Sequence, residues 1–170
     1  MKSKVLPIIY CQFVFALSVF SQTESAKQID AFGELNCEDI LSRSDNLLNE
    51  LNKNPTSTAY IIFYEGKHFK YSHNKKTQKS ESNLVNPRRG EARNKAEAIR
   101  LYLTKWRKFS KERLILIDGG YRANYGVELW IAPLDAQQPK ASPDLEEKDV
   151  KFRKGKAPKI ADCQGFYSSI

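Results

Sequence analysis

A chain of 170 residues is one domain with tails, long enough to bury a core of its own. No internal repeat stands out, which excludes a solenoid or a propeller. Lysine and arginine outnumber aspartate and glutamate by 28 to 20, a formal net charge of +8, so the partners to consider are anionic.

The first residues, "MKSKVLPIIYCQFVFALSVFSQTES", have the layout of a secretory signal peptide: two lysines, an apolar run from Val5 to Phe20, then small and polar residues. Val19 and Ser21 are placed for cleavage before Gln22, giving a leader over residues 1–21. The apolar run is about 16 residues long and is interrupted by Pro7 and Gln12, short of the ~20 that a spanning helix needs. Tyr10, before Cys11, is bulky where a lipoprotein signal wants a small residue. The expectation is an exported protein of the periplasm, the cell envelope or the extracellular space, with no membrane span left after cleavage. Losing Lys2 and Lys4 with the leader leaves +6. In an oxidising compartment Cys37 and Cys163 are expected to pair, closing a long loop worth about 4–5 kcal/mol in the chain-entropy model. Two cysteines without clustered histidines are too few for structural zinc. Outside the cytoplasm the anionic partners are cell-wall polymers, lipid headgroups or acidic proteins, not nucleic acid.

"QIDAFGEL" reads as a short strand, and Asn36 then caps a helix in which Cys37, Leu41, Ser44, Leu48 and Leu51 recur at helical spacing. Glu38 and Asp39 lie in its first turn, where the dipole favours them, and "NKNPTS" ends it. "TAYIIFYEG" is a strand apolar on both faces, hence central in its sheet. From Lys67 to Gly90 the chain is polar and basic without periodicity, a long surface loop. Ala92, Ala96, Ile99, Leu103 and Trp106 form the apolar stripe of a second helix. "RLILID" and "YGVELWIAP" are strands, the latter with Val127, Leu129 and Ile131 on one face, and Gly119–Gly120 reads as the turn between them. Residues 134–148 are a proline-rich linker, and 149–170 a basic tail that Cys163 brings back to Cys37. The order βαβαββ predicts an α/β sandwich, a mixed sheet with helices on one face.

Four stretches in this order, "IDAFGELN", "YIIFYEG", "KAEAIRLYL" followed by "RLILIDGGYR", and "YGVELWI", resemble the OmpA-like peptidoglycan-binding domain family over residues 28–133. The resemblance implies a non-enzymatic wall-binding domain without a cofactor. It also implies a site for the diaminopimelate of the peptide stem, made of an Asp just after the second strand and an Arg early in the second helix. Here the Asp position falls on Phe69 and the Arg position on Lys95. Lysine supplies a charge but not a bidentate fork, and Arg88, Arg89 and Arg93 lie close by.

His68 and His73, with Glu65, share the basic loop at a spacing that suits no metal. Asp118 and Glu128 form a candidate carboxylate pair, but no nucleophile elbow or cysteine–histidine arrangement accompanies them, and an enzyme is not expected. Arg88, Arg89, Arg93 and Lys95 gather at a helix N-terminus, whose free N–H groups favour an anion. The leading expectation is that Arg89, Arg93 and Lys95, helped by Tyr121 and Arg122, hold peptidoglycan or another anionic wall component. The alternative is a protein-interaction module that has lost peptidoglycan binding and meets an acidic partner through residues 67–79 and the basic tail.

Overall fold

The computed structural model describes residues 25–74 and 78–158. The expected leader, Cys11 and Cys163 lie outside them, so the Cys37–Cys163 bridge stays an expectation. The chain is α+β: β1 (Lys27–Phe32), α1 (Cys37–Lys53), β2 (Thr58–Asn74), β3 (Lys79–Val85), α2 (Glu91–Leu101), β4 (Leu114–Asn124) and β5 (Gly126–Ala132). Short 3-10 turns occupy Lys111–Arg113 and Glu147–Asp149.

β2 is the central strand, as its apolar faces predict. Ala59–Phe63 pair in parallel with β4 on one side and antiparallel with β5 on the other, and β1 lies antiparallel along β5. Alternation then divides its side chains. Ala59, Ile61 and Phe63 join Val127, Leu129 and Ile131 in the core, against Leu47 and Leu51 of α1 and Ala92, Ala96 and Ile99 of α2. Ile62 and Tyr64 point to the helix-free face yet are also fully buried.

The Asn36 carboxamide accepts the Asp39 N–H at 2.9 Å, the expected N-cap of α1. The buried stripe of α1 is Ser44, Leu47 and Leu51, with Ser44 made tolerable by donating to the Ile40 carbonyl at 2.7 Å. Beyond α2 the helix widens into a π-turn over Tyr102–Trp106, closed by Arg107 N–H on the Tyr102 carbonyl at 3.1 Å. The extra residue shifts the phase of the stripe. Tyr102 and Leu103 are buried, whereas Trp106, expected in the core, is 44% exposed.

Three sequence expectations are corrected. Residues 67–85 are not a loop: β2 runs on to Asn74 and pairs with β3 as a two-stranded ribbon, so the order is βαββαββ. Gly119 and Gly120 are not a turn but a bulge inside β4, where the pairing with β2 slips between Phe63 and Glu65. Gly120 has φ +81°, and a side chain on Gly119 would meet the Tyr64 ring at 2.4 Å. Residues 142–153 are not a free linker and tail but a strap held against the sheet.

The real β4–β5 connection is Tyr125, which crosses β2 because β4 and β5 flank that strand. It crosses at Gly66. A Cβ there would lie 2.3 Å from the Asn124 carbonyl carbon and 2.6 Å from the Arg122 carbonyl oxygen. Both contacts are backbone and have little room to yield. Gly66→Ala is expected to cost about 3 kcal/mol or more by overpacking, read as a lower urea midpoint. Gly126→Ala, whose added carbon meets nothing nearer than 3.8 Å, stays close to the parent.

Candidate functional site

The N-terminus of α2 is the place where sequence reasoning puts an anion. Gly90, at φ +79°, turns the chain into the helix and offers no side-chain cap. Glu65 of β2 fills the role from a distance. Its carboxylate accepts Gly90 N–H at 2.9 Å and Ala92 N–H at 3.1 Å. Burial raises the Glu65 pKa, an effect these two backbone donors partly oppose and the neighbouring Glu91 and Asp118 reinforce. The helix end therefore already holds an anion, supplied by the chain itself.

Beside it lies a buried charge cluster. Glu91 is 5% exposed and His68 7%. His68 Nε2 is 3.2 Å from Glu91, whose other oxygen accepts Arg88 N–H at 2.8 Å and faces the Arg153 guanidinium at 3.2 Å. Arg153 also lies 3.4 Å from His68 Nε2. Burial lowers the His68 pKa, Lys95 and Arg153 lower it further, and Glu91 and Glu34 oppose them. His68 is thus not a solvated loop residue; it joins the base of the ribbon to the strap.

The candidate cations are brought to one end of the molecule, and most are already matched. Lys95 pairs with Glu34, and its ammonium sits 4.2 Å from the centre of the Tyr125 ring. Arg89 pairs with Glu147 and stacks over Phe152 at 4.2 Å, while Tyr121 meets the same ring edge-on at 6.0 Å. Arg122 donates to Glu128 at 2.6 Å and to the Ser142 carbonyl at 3.0 Å, and lies over Tyr64 at 3.4 Å. Arg93 alone of the five candidates is an exposed cation, with no ion pair among the described residues.

Glu128 is 7% exposed and accepts from Arg122, from Tyr64 Oη at 3.1 Å and from Trp130 Nε1 at 3.1 Å. It cannot pair with Asp118. Glu128 is opposite Ile62 and Asp118 opposite Phe63, so the two project from opposite faces of the sheet, on either side of β2. Asp118 instead accepts Gly120 N–H at 3.0 Å and holds the bulge.

The strap completes the arrangement. Tyr64 Oη accepts Ser142 N–H at 3.1 Å, the Tyr121 carbonyl accepts Asp144 N–H at 3.1 Å, Asp144 accepts Ala123 N–H at 3.0 Å, and Pro87 accepts Arg153 N–H at 2.8 Å. Between the strap and the end of the sheet lies a cleft of about 420 Å³, lined in part by Gly66, Lys67, Pro87, Arg122, Leu145 and Lys151. Sequence reasoning found the cations, weighed Glu65 only as a metal ligand, and missed Glu34, Glu147 and Arg153. For Glu147 the available signal was the acidic "PDLEEKD", opposite in charge to the basic helix terminus.

No family model, curated protein or solved structure matches the chain. Among the described residues no three His, Cys, Asp or Glu side chains converge as metal ligands, and no helix is long and apolar enough to cross a membrane.

Arg122→Ala leaves the Glu128 carboxylate buried with only neutral donors. The expected loss is about 3 kcal/mol, measured by chemical denaturation, and adding Glu128→Gln restores a large part of it. Because the folded His68 has a lowered pKa, it makes stability depend on pH. As pH falls, the unfolded chain takes the proton first, near 6.5, so stability is full above that value and is lost as pH drops towards the folded value. Glu65, with a raised pKa, acts with the opposite sign, favouring the fold as pH falls from its folded value towards 4.5. Thermal unfolding between about pH 7.5 and 5.5 should show a downward slope on acidification that His68→Gln flattens.

Proposed function

We propose that the protein is an exported, non-enzymatic interaction module on an OmpA-like fold that has lost peptidoglycan binding and meets an acidic protein partner. One observation carries the reading: the positive groups the resemblance would turn towards stem-peptide carboxylates are closed onto carboxylates of the same chain. Lys95 faces Glu34, Arg89 faces Glu147, Arg122 faces Glu128, and the N–H groups of α2 face Glu65. The position of the family's acid is held by Phe69, which is 47% exposed on the ribbon. A wall peptide would have to break several of these pairs and lift the strap, while Arg93 is the one of Arg89, Arg93, Lys95 and Arg122 without an ion pair among the described residues. The fold resemblance itself is supported by the element order, which differs from the expected βαβαββ only by the inserted β3, and by both helices lying on one face of a mixed sheet. Fold alone does not carry ligand chemistry.

The test is sedimentation of the exported, leader-free protein with diaminopimelate-type peptidoglycan across a salt series, beside Arg93→Ala and Lys95→Ala. Binding that is weak and fades as ionic strength approaches about 0.15 M, where charges are screened within about 8 Å, agrees with the proposal. Saturable binding that persists at that salt and is lost in either variant overturns it.

A further inference from the structure

Resting on that reading, we infer that the β2–β3 ribbon is the docking edge, and that its partner is an extended protein segment in which acidic and apolar residues alternate. Only the first part of β2 belongs to the main sheet. His68–Asn74 pair solely with Val85–Lys79, and β3 ends the strand order, so its outer edge pairs with no strand among the described residues. Over Glu81–Val85 that edge offers backbone donors and acceptors to another chain.

The side chains say what kind of chain fits. Phe69 is directly opposite Leu84, and Tyr71, two residues on, shares their face. These three are 47%, 51% and 70% exposed, an apolar cluster on an otherwise polar ribbon. Ser82, opposite Tyr71, leaves room beside it. The other face carries Lys70 opposite Asn83. Lys67 and Lys70 are both exposed on the described part of the ribbon, where Glu81 is the acid. Lysine alone blunts an edge against unwanted pairing, but a purely protective edge has no use for an exposed Phe, Tyr and Leu. Strand addition uses these features together: main-chain bonds along β3, apolar residues beside Leu84 and Tyr71, and acidic residues towards the lysines. A lipid surface fits less well, because hydrocarbon cannot satisfy the open backbone groups of β3.

The experiment uses the full exported protein and a fluorescent peptide of alternating Val and Glu, matched to the seven residues of β3. The peptide is N-methylated along one edge so that it cannot stack on itself. Fluorescence anisotropy should show saturable binding, and hydrogen exchange should show slowed amides between Ser80 and Leu84. Phe69→Ser with Leu84→Ser should weaken binding at least tenfold. Lys70→Glu should weaken it several-fold, and Glu81→Lys should tighten it. Unchanged thermal unfolding of these surface variants establishes that the fold is intact. Equal binding of a peptide with the same residues in two blocks, or of one methylated along both edges, overturns the inference, because charge alone would then suffice. So does binding that protects no β3 amide. Association with anionic phospholipid vesicles that is lost in the Phe69/Leu84 variant, with no peptide binding, assigns the face to a membrane and overturns it as well. Salt-resistant sedimentation with peptidoglycan overturns the broader reading instead, whereas absence of both wall and peptide binding overturns this one alone.

Discussion

The chain has to pass from β4 to β5 across the strand that separates them, and Gly66 is where it passes. Tyr125 N–H donates to the Lys67 carbonyl at 2.8 Å during the crossing, and its ring sinks into the core beneath the Lys95 ammonium. Burial raises its phenol pKa far above the ordinary range, so the ring stays neutral. The crossing ends the main sheet at that level, because β2 beyond Lys67 has neither β4 nor β5 beside it. What remains of β2 can be satisfied only by turning back on itself, which is the β2–β3 ribbon. The same crossing brings the end of β4, with Tyr121 and Arg122, up to the start of α2, with Pro87 and Arg89. The strap spans that junction: Asp144 and Leu145 reach Tyr121, Arg153 reaches Pro87, and Glu147 reaches Arg89.

How much of this is legible in the sequence depends on what holds each part. β1, α1, the first half of β2, α2, β4 and β5 are stabilised by burial, and burial leaves a period of two or of about 3.6 in the residue pattern. Val127, Leu129 and Ile131 on one face, and Ala92, Ala96 and Ile99 on one helix side, follow from that pattern alone. The ribbon leaves no such trace. It is solvated on both faces over residues 80–84, and cross-strand backbone pairing rather than burial defines it. Trp106 is misplaced because a π-turn adds a residue and rotates everything after it. Gly119–Gly120 punctuates a strand as readily as a turn, and only the Tyr64 ring packed beside it decides between them.

The candidate site is half legible for a related reason. A cation cluster is visible as composition, but whether it is open or matched depends on carboxylates that sit as many as 61 residues away, as with Glu34 reaching Lys95. The strap is polar and proline-rich, the composition of a linker, yet its backbone donors find fixed acceptors in the fold. Composition does not distinguish a polar segment that is solvated from one that is hydrogen-bonded to its own domain.

That distinction changes what the net charge means. Around α2 much of the positive charge is structural, Lys95 matched by Glu34 and Arg89 by Glu147, and each such pair adds little to the field a partner meets at a distance. The exposed cations without an ion pair among the described residues include Arg93 of α2 and Lys67 and Lys70 of the ribbon. The two regions meet at His68. His68 is the first ribbon residue of β2, and it touches both Glu91 of α2 and Arg153 of the strap. A proton on His68 would strengthen its contact with Glu91 and set a second positive charge beside Arg153, so the base of the ribbon and the anchor of the strap respond to the same event.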